Sequence, residues 1–182
     1  MALRNFQLLT NQSTAILKFS SILMPPPYLR EFRNQLSMIK DSPENHTALI
    51  ITSNHEKIFS NGLDIEYICK KGVEGGMETI REYGALCADL MSFPIPVIAA
   101  MNGHTFAGGV GLAMACDWRV MRSDRGYICL NEIDVPIAFP RLTYALFKPK
   151  LPKNVLSDVT LRARRFNAPE ALSKGLVDEL AP

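Results

Sequence analysis

Two glycine-bearing segments carry the residue types from which this chain could build chemistry. The first is Ile58-Phe59-Ser60-Asn61-Gly62-Leu63-Asp64-Ile65, which follows the apolar run Ala48–Ser53. The second opens with Pro96-Val97-Ile98-Ala99-Ala100-Met101, breaks at Asn102-Gly103, and reaches Ala107-Gly108-Gly109 before the small apolar stretch Val110–Cys116. In each, an apolar strand leads through a glycine turn into the start of a helix, with Asp64 placed as the N-cap of the first. Backbone N–H groups at a helix start have no intrahelical partner and sit at the positive end of the helix dipole. Such a turn holds negative charge, either a bound anion or an oxyanion that develops during reaction. A glycine pair at a strand–helix junction commonly serves packing alone. Neither segment matches GxGxxG or GxxxxGK[ST], so dinucleotide and P-loop phosphate binding are not indicated.

Other reactive side chains are sparse. His46 and His55 have no partners at metal-ligand spacing, so no metal is expected. His104 lies beside the second turn and is read as a structural hydrogen-bonding residue. Cys69, Cys87, Cys116 and Cys129 lie in apolar contexts without CxxC spacing, which suggests free buried thiols in a reducing compartment. Arg141, Lys148, Lys150 and Lys153 are read as a solvated face.

The elements that must position the two turns follow from periodicity. Phe6–Leu9 and Thr14–Phe19 read as a hairpin about Asn11-Gln12-Ser13, and Leu29, Phe32, Leu36 and Ile39 lay one apolar stripe along a helix from Tyr28 to Lys40. After the strand Ala48–Ser53 come a short helix Asp64–Lys71, a glycine-rich mobile loop Gly72–Gly76 and a helix Met77–Phe93. Trp118–Met121 and Tyr127–Leu130 read as strands, Arg141–Phe147, Lys153–Leu161 and Pro169–Lys174 as helices, and Leu176–Leu180 as a last strand. This alternation predicts an α/β architecture. The 182 residues, with a hydrophobic content of 47%, suffice for one domain with a sizeable core. A net charge of +2 gives no electrostatic case for nucleic acid or a membrane surface. The apolar run Val97–Met101 is far too short to span a bilayer, and Met1–Leu9 lacks the pattern of a secretory signal.

Taken together, FSNGLDI, IPVIAAMNGHTFAGG and the later CDWRV (Cys116–Val120) resemble the enoyl-CoA hydratase/isomerase (crotonase) family, from about Thr14 to the end of the chain. The resemblance implies a spiral of repeated ββα units, forming a single crotonase-like domain over residues 1–182. It also implies that the C-terminal helical part, which in usual members helps form trimers, is shortened or missing; a full-length member is expected to be a homotrimer. The implied ligand is a fatty acyl-CoA thioester, as substrate and with no cofactor. By the same resemblance the N–H groups of Leu63 and Gly108 are the oxyanion donors. Asn61, Gly62, Leu63, Asp64 and Ile65 line the adenine and pantetheine path, and Gly108 binds the substrate as the second donor. A contact of the Arg141–Lys153 cations with CoA phosphates is the lesser alternative to a solvated face.

Reaction type turns on carboxylates. Hydratases of this family carry one three residues after the second donor and another one strand later. Here the first position is Gly111 and the second, in Leu130-Asn131-Glu132-Ile133, is Glu132. One carboxylate can shuttle a proton from C2 to C4 of a 3-enoyl-CoA but is poorly equipped to activate water as well. The resemblance is therefore strongest to Δ3,Δ2-enoyl-CoA isomerases of unsaturated fatty acid β-oxidation, in the peroxisome or the mitochondrial matrix. Hydration or thioester hydrolysis with Glu132 positioning water, and a non-catalytic scaffold subunit, stay open as alternatives. Asp134 is the rival carboxylate should the chain there stay extended, and a side chain at position 111, one turn past Gly108, is expected to point into the same pocket.

Overall fold

Strands with one buried face open the chain in the computed structural model, which describes residues 5–42, 44–134 and 141–182. The first two strands, β1 (Phe6–Asn11) and β2 (Thr14–Phe19), form the expected antiparallel hairpin, with Gln12 at φ 54° in its turn. The next strand, β3 (Leu23–Met24), leads into helix α1 (Pro26–Lys40), whose prolines occupy the first turn, where a missing N–H costs nothing. Then come β4 (Ala48–Ser53), β5 (Ile58–Ser60), β6 (Gly62–Leu63) and helix α2 (Ile65–Met91). The second glycine segment contributes β7 (Val97–Met101), β8 (His104–Phe106) and helix α3 (Gly108–Ala115). After it follow β9 (Trp118–Arg122), β10 (Ile128–Cys129) and a 3₁₀ turn at Glu132–Asp134. Helices α4 (Arg141–Phe147), α5 (Lys153–Arg162) and α6 (Ala168–Ser173) and strand β11 (Glu179–Ala181) complete the chain.

Six strands form the main sheet in the order β1-β2-β4-β7-β9-β11, parallel except for the opening hairpin. Alternate residues face the helices, and in register they make continuous rows. Leu17 pairs with Ile51, Ile51 with Ala99, and Ala99 with Arg119. All four are buried, which is the period-2 pattern of a sheet with one face on the core. Arg119 is tolerated in that row because it is paired with Asp178 at 2.6 Å. Each of β4, β7 and β9 is followed at once by one of the short strands β5, β8 and β10, which pair in parallel as a second, smaller sheet. This is the repeated ββα unit that the resemblance implies. It carries the ends of the glycine segments away from the main sheet and towards one another.

Three expectations need correction. Gly72–Gly76 is not a loop: helix α2 runs through it, broken only at Gly72, whose φ of 64° no other residue type adopts cheaply. The Tyr67 hydroxyl donates to Glu78 at 2.8 Å across the break, and Thr79 donates to the Gly75 carbonyl at 2.7 Å. The last strand starts at Glu179, because the amides of Leu176 and Val177 both turn back to the Ala171 carbonyl at the end of α6. Cys69 is exposed, whereas the other three thiols are buried as expected. Among the described residues no helix is long and apolar enough to cross a membrane.

Between β7 and β8 the chain passes so close to Lys57 that a Cβ at Gly103 would collide with the Lys57 carbonyl. Gly103→Ala is expected to destabilise the fold by about 2 kcal/mol in urea denaturation, since the obstacle is backbone and cannot rotate away. As a control, Gly76→Ala places its Cβ 3.7 Å from Ile68 Cγ2, an ordinary contact. It should be neutral or gain up to about 1 kcal/mol of helix propensity.

Candidate active site

The two glycine turns meet at the top of the sheet. Gly62 has φ 87°, and a Cβ built on it would lie 2.5 Å from Gly108 N. A Cβ on Gly108 would lie 3.4 Å from Leu63 N. The approach is thus closer than any side chain permits, and it sets the amides of Leu63 and Gly108 side by side. Gly62 N donates to Ser60 Oγ at 3.1 Å and Asn61 N to the Ile22 carbonyl at 2.8 Å, which fixes the first turn. Ala107 N donates to the Cys129 carbonyl at 2.9 Å, which fixes the second. Ala107 itself is held at φ 48°, ψ −125° as the N-cap of α3, a conformation that costs a residue with a Cβ of order 1–3 kcal/mol. Gly108 is the first residue of α3, so its N–H is one of those that the helix leaves without an acceptor.

Leu63 and Gly108 both line a cavity of about 310 Å³. Its walls are Asn61, Leu63, Ile65, Ile68, Ile80, Tyr83, Phe106, Ala107, Gly108, Asn131, Glu132 and Thr143. The predicted residues Asn61, Leu63, Ile65, Gly108 and Glu132 are therefore brought together. Gly62 lies behind the wall and acts through its backbone. Asp64 is not part of this cavity wall; its Oδ1 accepts from Tyr67 N at 2.9 Å and caps α2.

Glu132 stands on the 3₁₀ turn just beyond β10, half-buried, and its Oε2 is enclosed without a hydrogen-bond partner. Burial raises its pKa above the ordinary carboxylate range, partly opposed by a hydrogen bond from its own backbone amide. The neighbouring Asn131 Oδ1 is likewise enclosed, and neither oxygen has a partner among the described residues. Asp134 is exposed and outside the cavity wall, because the chain coils here instead of staying extended.

Position 111 brought a surprise. A Cβ on Gly111 would run into the hydroxyl oxygen of Tyr83, which already fills the space expected to be open. Tyr83 is 2% exposed and donates to the Gly108 carbonyl at 2.6 Å. From the sequence it is one member of the apolar stripe Ile80, Tyr83, Leu86, Cys87 and Leu90, with nothing to link it to a glycine on another helix.

At its far end α3 is closed by cations. Lys150 Nζ donates to the carbonyls of Met114 at 2.6 Å and Cys116 at 2.9 Å, and Arg119 Nη1 reaches Cys116 O at 3.4 Å. Lys150 is exposed, as a residue of a solvated face would be, while its Nζ is engaged by the end of α3. Positive charge at a helix C-terminus complements the dipole whose other end carries the Gly108 amide. His104 stacks on Tyr127 with ring centroids 5.8 Å apart, and its Nδ1 makes no hydrogen bond. A larger groove of about 510 Å³ lies between α1 and α2, but Arg30, Arg33, Glu82 and Asp89 in it are paired with carboxylates and guanidiniums of the same two helices.

The sequence profile of enoyl-CoA hydratases/isomerases matches residues 25–182. The chain belongs to the enoyl-CoA hydratase/isomerase family. It is similar to the peroxisomal enoyl-CoA delta isomerase 1 of Arabidopsis thaliana, with 32% identity over 154 residues covering 84% of this chain and 64% of that protein. It is also similar to the carnitinyl-CoA dehydratase of Citrobacter koseri, with 34% identity covering 78% of this chain and 53% of that one. The chain thus spans less than two thirds of the length of these relatives. The enoyl-CoA hydratase structure from Bacillus anthracis superposes with a TM-score of 0.89 at 23% identity, covering 98% of this chain and 70% of that one. At that identity the likeness is of fold, and it makes the fold of this family member crotonase-like.

The raised pKa of Glu132 has a consequence for stability. The folded chain holds this proton more tightly than the unfolded chain does, so the group's contribution is full below the ordinary carboxylate range and lost as pH rises through the raised value. Glu132→Gln should therefore melt at the same temperature as the wild type at acid pH and at a higher one at neutral pH. Thermal melts across that range measure the difference.

Proposed function

We propose that this chain moves the double bond of a 3-enoyl-CoA to the 2-position. The observation that carries the reading is a single carboxyl, Glu132, sharing an apolar-walled cavity with Leu63 and Gly108, with no second carboxylate in its wall among the described residues. The thioester oxygen would lie between the two N–H groups. Glu132, ionised, takes a proton from C2, and the electron pair of that C–H bond passes through the dienolate to the thioester oxygen. The same carboxyl then returns its proton to C4, and the pair flows back to form the C2=C3 bond. Two amide donors stabilise the intermediate charge, each worth about 3–4 kcal/mol where such donors have been removed. A carboxyl whose burial raises its pKa is a stronger base towards the C2 proton than an ordinary one, and it holds that proton until the dienolate takes it back at C4. Ile65, Ile68, Ile80 and Phe106 offer apolar wall to the acyl chain, and Asn61–Ile65 offers backbone along the pantetheine arm.

The delta isomerase name of the Arabidopsis relative supports this reading, and its stated peroxisomal location supports the peroxisome as compartment. A dehydratase relative of similar identity supports a second reading, addition or removal of water at the same site. A scaffold without catalysis has no use for two convergent oxyanion donors.

The wild type should isomerise 3-enoyl-CoA much faster than it hydrates 2-enoyl-CoA, both followed by chromatography of the acyl-CoA products. Comparable hydration would replace the isomerase reading with the second one. Glu132→Gln should lower isomerisation by about 10²–10⁴-fold while CoA binding persists. The acid limb of kcat/KM should have its midpoint above the ordinary carboxylate range, since only ionised Glu132 can take the proton. Gly108→Val should also abolish turnover, because its Cβ would already lie 3.3 Å from Leu63 Cγ and the larger side chain blocks the approach to both amides.

A further inference from the structure

We propose that Tyr83 is a specificity-determining residue: its hydroxyl, fixed on the Gly108 carbonyl, occupies the space over Gly111 and excludes both a second acid–base group and the water that would otherwise reach Glu132. This rests on the proton-shuttle reading above and extends it by naming what keeps the shuttled proton inside the cavity.

Three observations carry it. The Tyr83 oxygen stands where a Cβ of residue 111 would stand, so no side chain can be added there while the tyrosine is in place. Its only proton is spent on the Gly108 carbonyl at 2.6 Å, so towards the cavity the hydroxyl offers lone pairs alone and cannot protonate an enolate. Glu132 Oε2, finally, has no hydrogen-bond partner among the described residues, so no protein relay from it to solvent is seen. A proton on Glu132 can then leave only to the substrate or to a water, and Tyr83 fills the place beside Gly108 that a water could share.

The tyrosine is also held firmly. It is 2% exposed, on the same helix as Glu78, Glu82 and Asp89. These carboxylates pair with Arg30 at 2.8 Å, Arg33 at 3.5 Å and Arg33 at 2.6 Å across the α1–α2 interface. Burial pushes the phenol well above its ordinary pKa, so it is not a base at neutral pH either. It is a plug that takes no part in the proton traffic around it.

Tyr83→Phe removes the one oxygen and leaves a hydrogen-bond acceptor, the Gly108 carbonyl, ready for a water. With a saturated acyl-CoA such as butyryl-CoA in D₂O, Glu132 takes a C2 proton, exchanges it with water as COOH + D₂O → COOD + HDO, and returns deuterium to C2. This washout should be slow in the wild type and several-fold faster in Tyr83→Phe, read by mass spectrometry. Equal washout in the two proteins, fast or absent, overturns the proposal. A wild type that washes out slowly but does not isomerise 3-enoyl-CoA would instead overturn the isomerase reading while leaving Tyr83 its role.

Occupancy is tested without any turnover by thermal melts of a double-mutant cycle. Gly111→Ala, although it replaces a helical glycine, should lower the melting temperature by roughly 4–10 °C, because the methyl and the hydroxyl compete for one space. In the Tyr83→Phe background the same change should be neutral or raise it, since the nearest ring atom then lies 3.3 Å from the new Cβ. A Gly111→Ala penalty that is the same in both backgrounds overturns the proposal even if Tyr83→Phe is too unstable for exchange measurements.

Discussion

Everything at this site depends on one backbone-to-backbone contact, Gly62 against Gly108. Two amides can serve one oxygen only if their turns touch, and the contact leaves no room for a Cβ on Gly62 and a tight fit for one on Gly108. The rest of the fold can be understood as the means of producing that contact. Parallel main strands bring β4 and β7 side by side, and the short strands β5 and β8 that follow them also pair in parallel, with a bulge between Ile58 and Ser60. Each chain then turns at its glycine into a helix. The Ser60 carbonyl lies against Gly109 as well, where a Cβ would come within 2.6 Å of it, so the two segments are in contact over several residues.

The site is expensive by ordinary standards of stability. It keeps Ala107 in a backbone conformation suited to glycine, Glu132 half-desolvated, and two enclosed side-chain oxygens without partners. Such departures concentrate where a ligand is to supply what the protein withholds. Elsewhere the core follows the usual rules: buried rows of aliphatic residues across the sheet, capped helices, and an internal arginine with its own aspartate.

Much of this was legible in the sequence, and the divide has a physical basis. The glycine turns could be read because their close approach is made by backbone, so the residues that must be absent leave a visible mark. The Asp64 cap and the amphipathic stripe of α1 are local in sequence and were equally plain. Strands of two or three residues such as β6 and β10 cannot show a period of two, and they emerge only when a neighbour supplies their hydrogen bonds. The Gly72–Gly76 segment looked like a loop because propensity was weighed without the packing that holds α2 together. Tyr83 and Gly111 lay beyond reach for a different reason. Their relation is one of shared volume between two helices, and neither residue type announces it.

Helix α2 carries Ile65 and Ile68 before its break at Gly72 and Ile80 and Tyr83 after it, and all four face the same cavity. Two walls of the cavity are thus segments of one helix bent at a single exposed glycine, with nothing among the described residues within 4 Å of where a Cβ would be. A substitution that changed the bend at Gly72 would shift one wall against the other from outside the cavity.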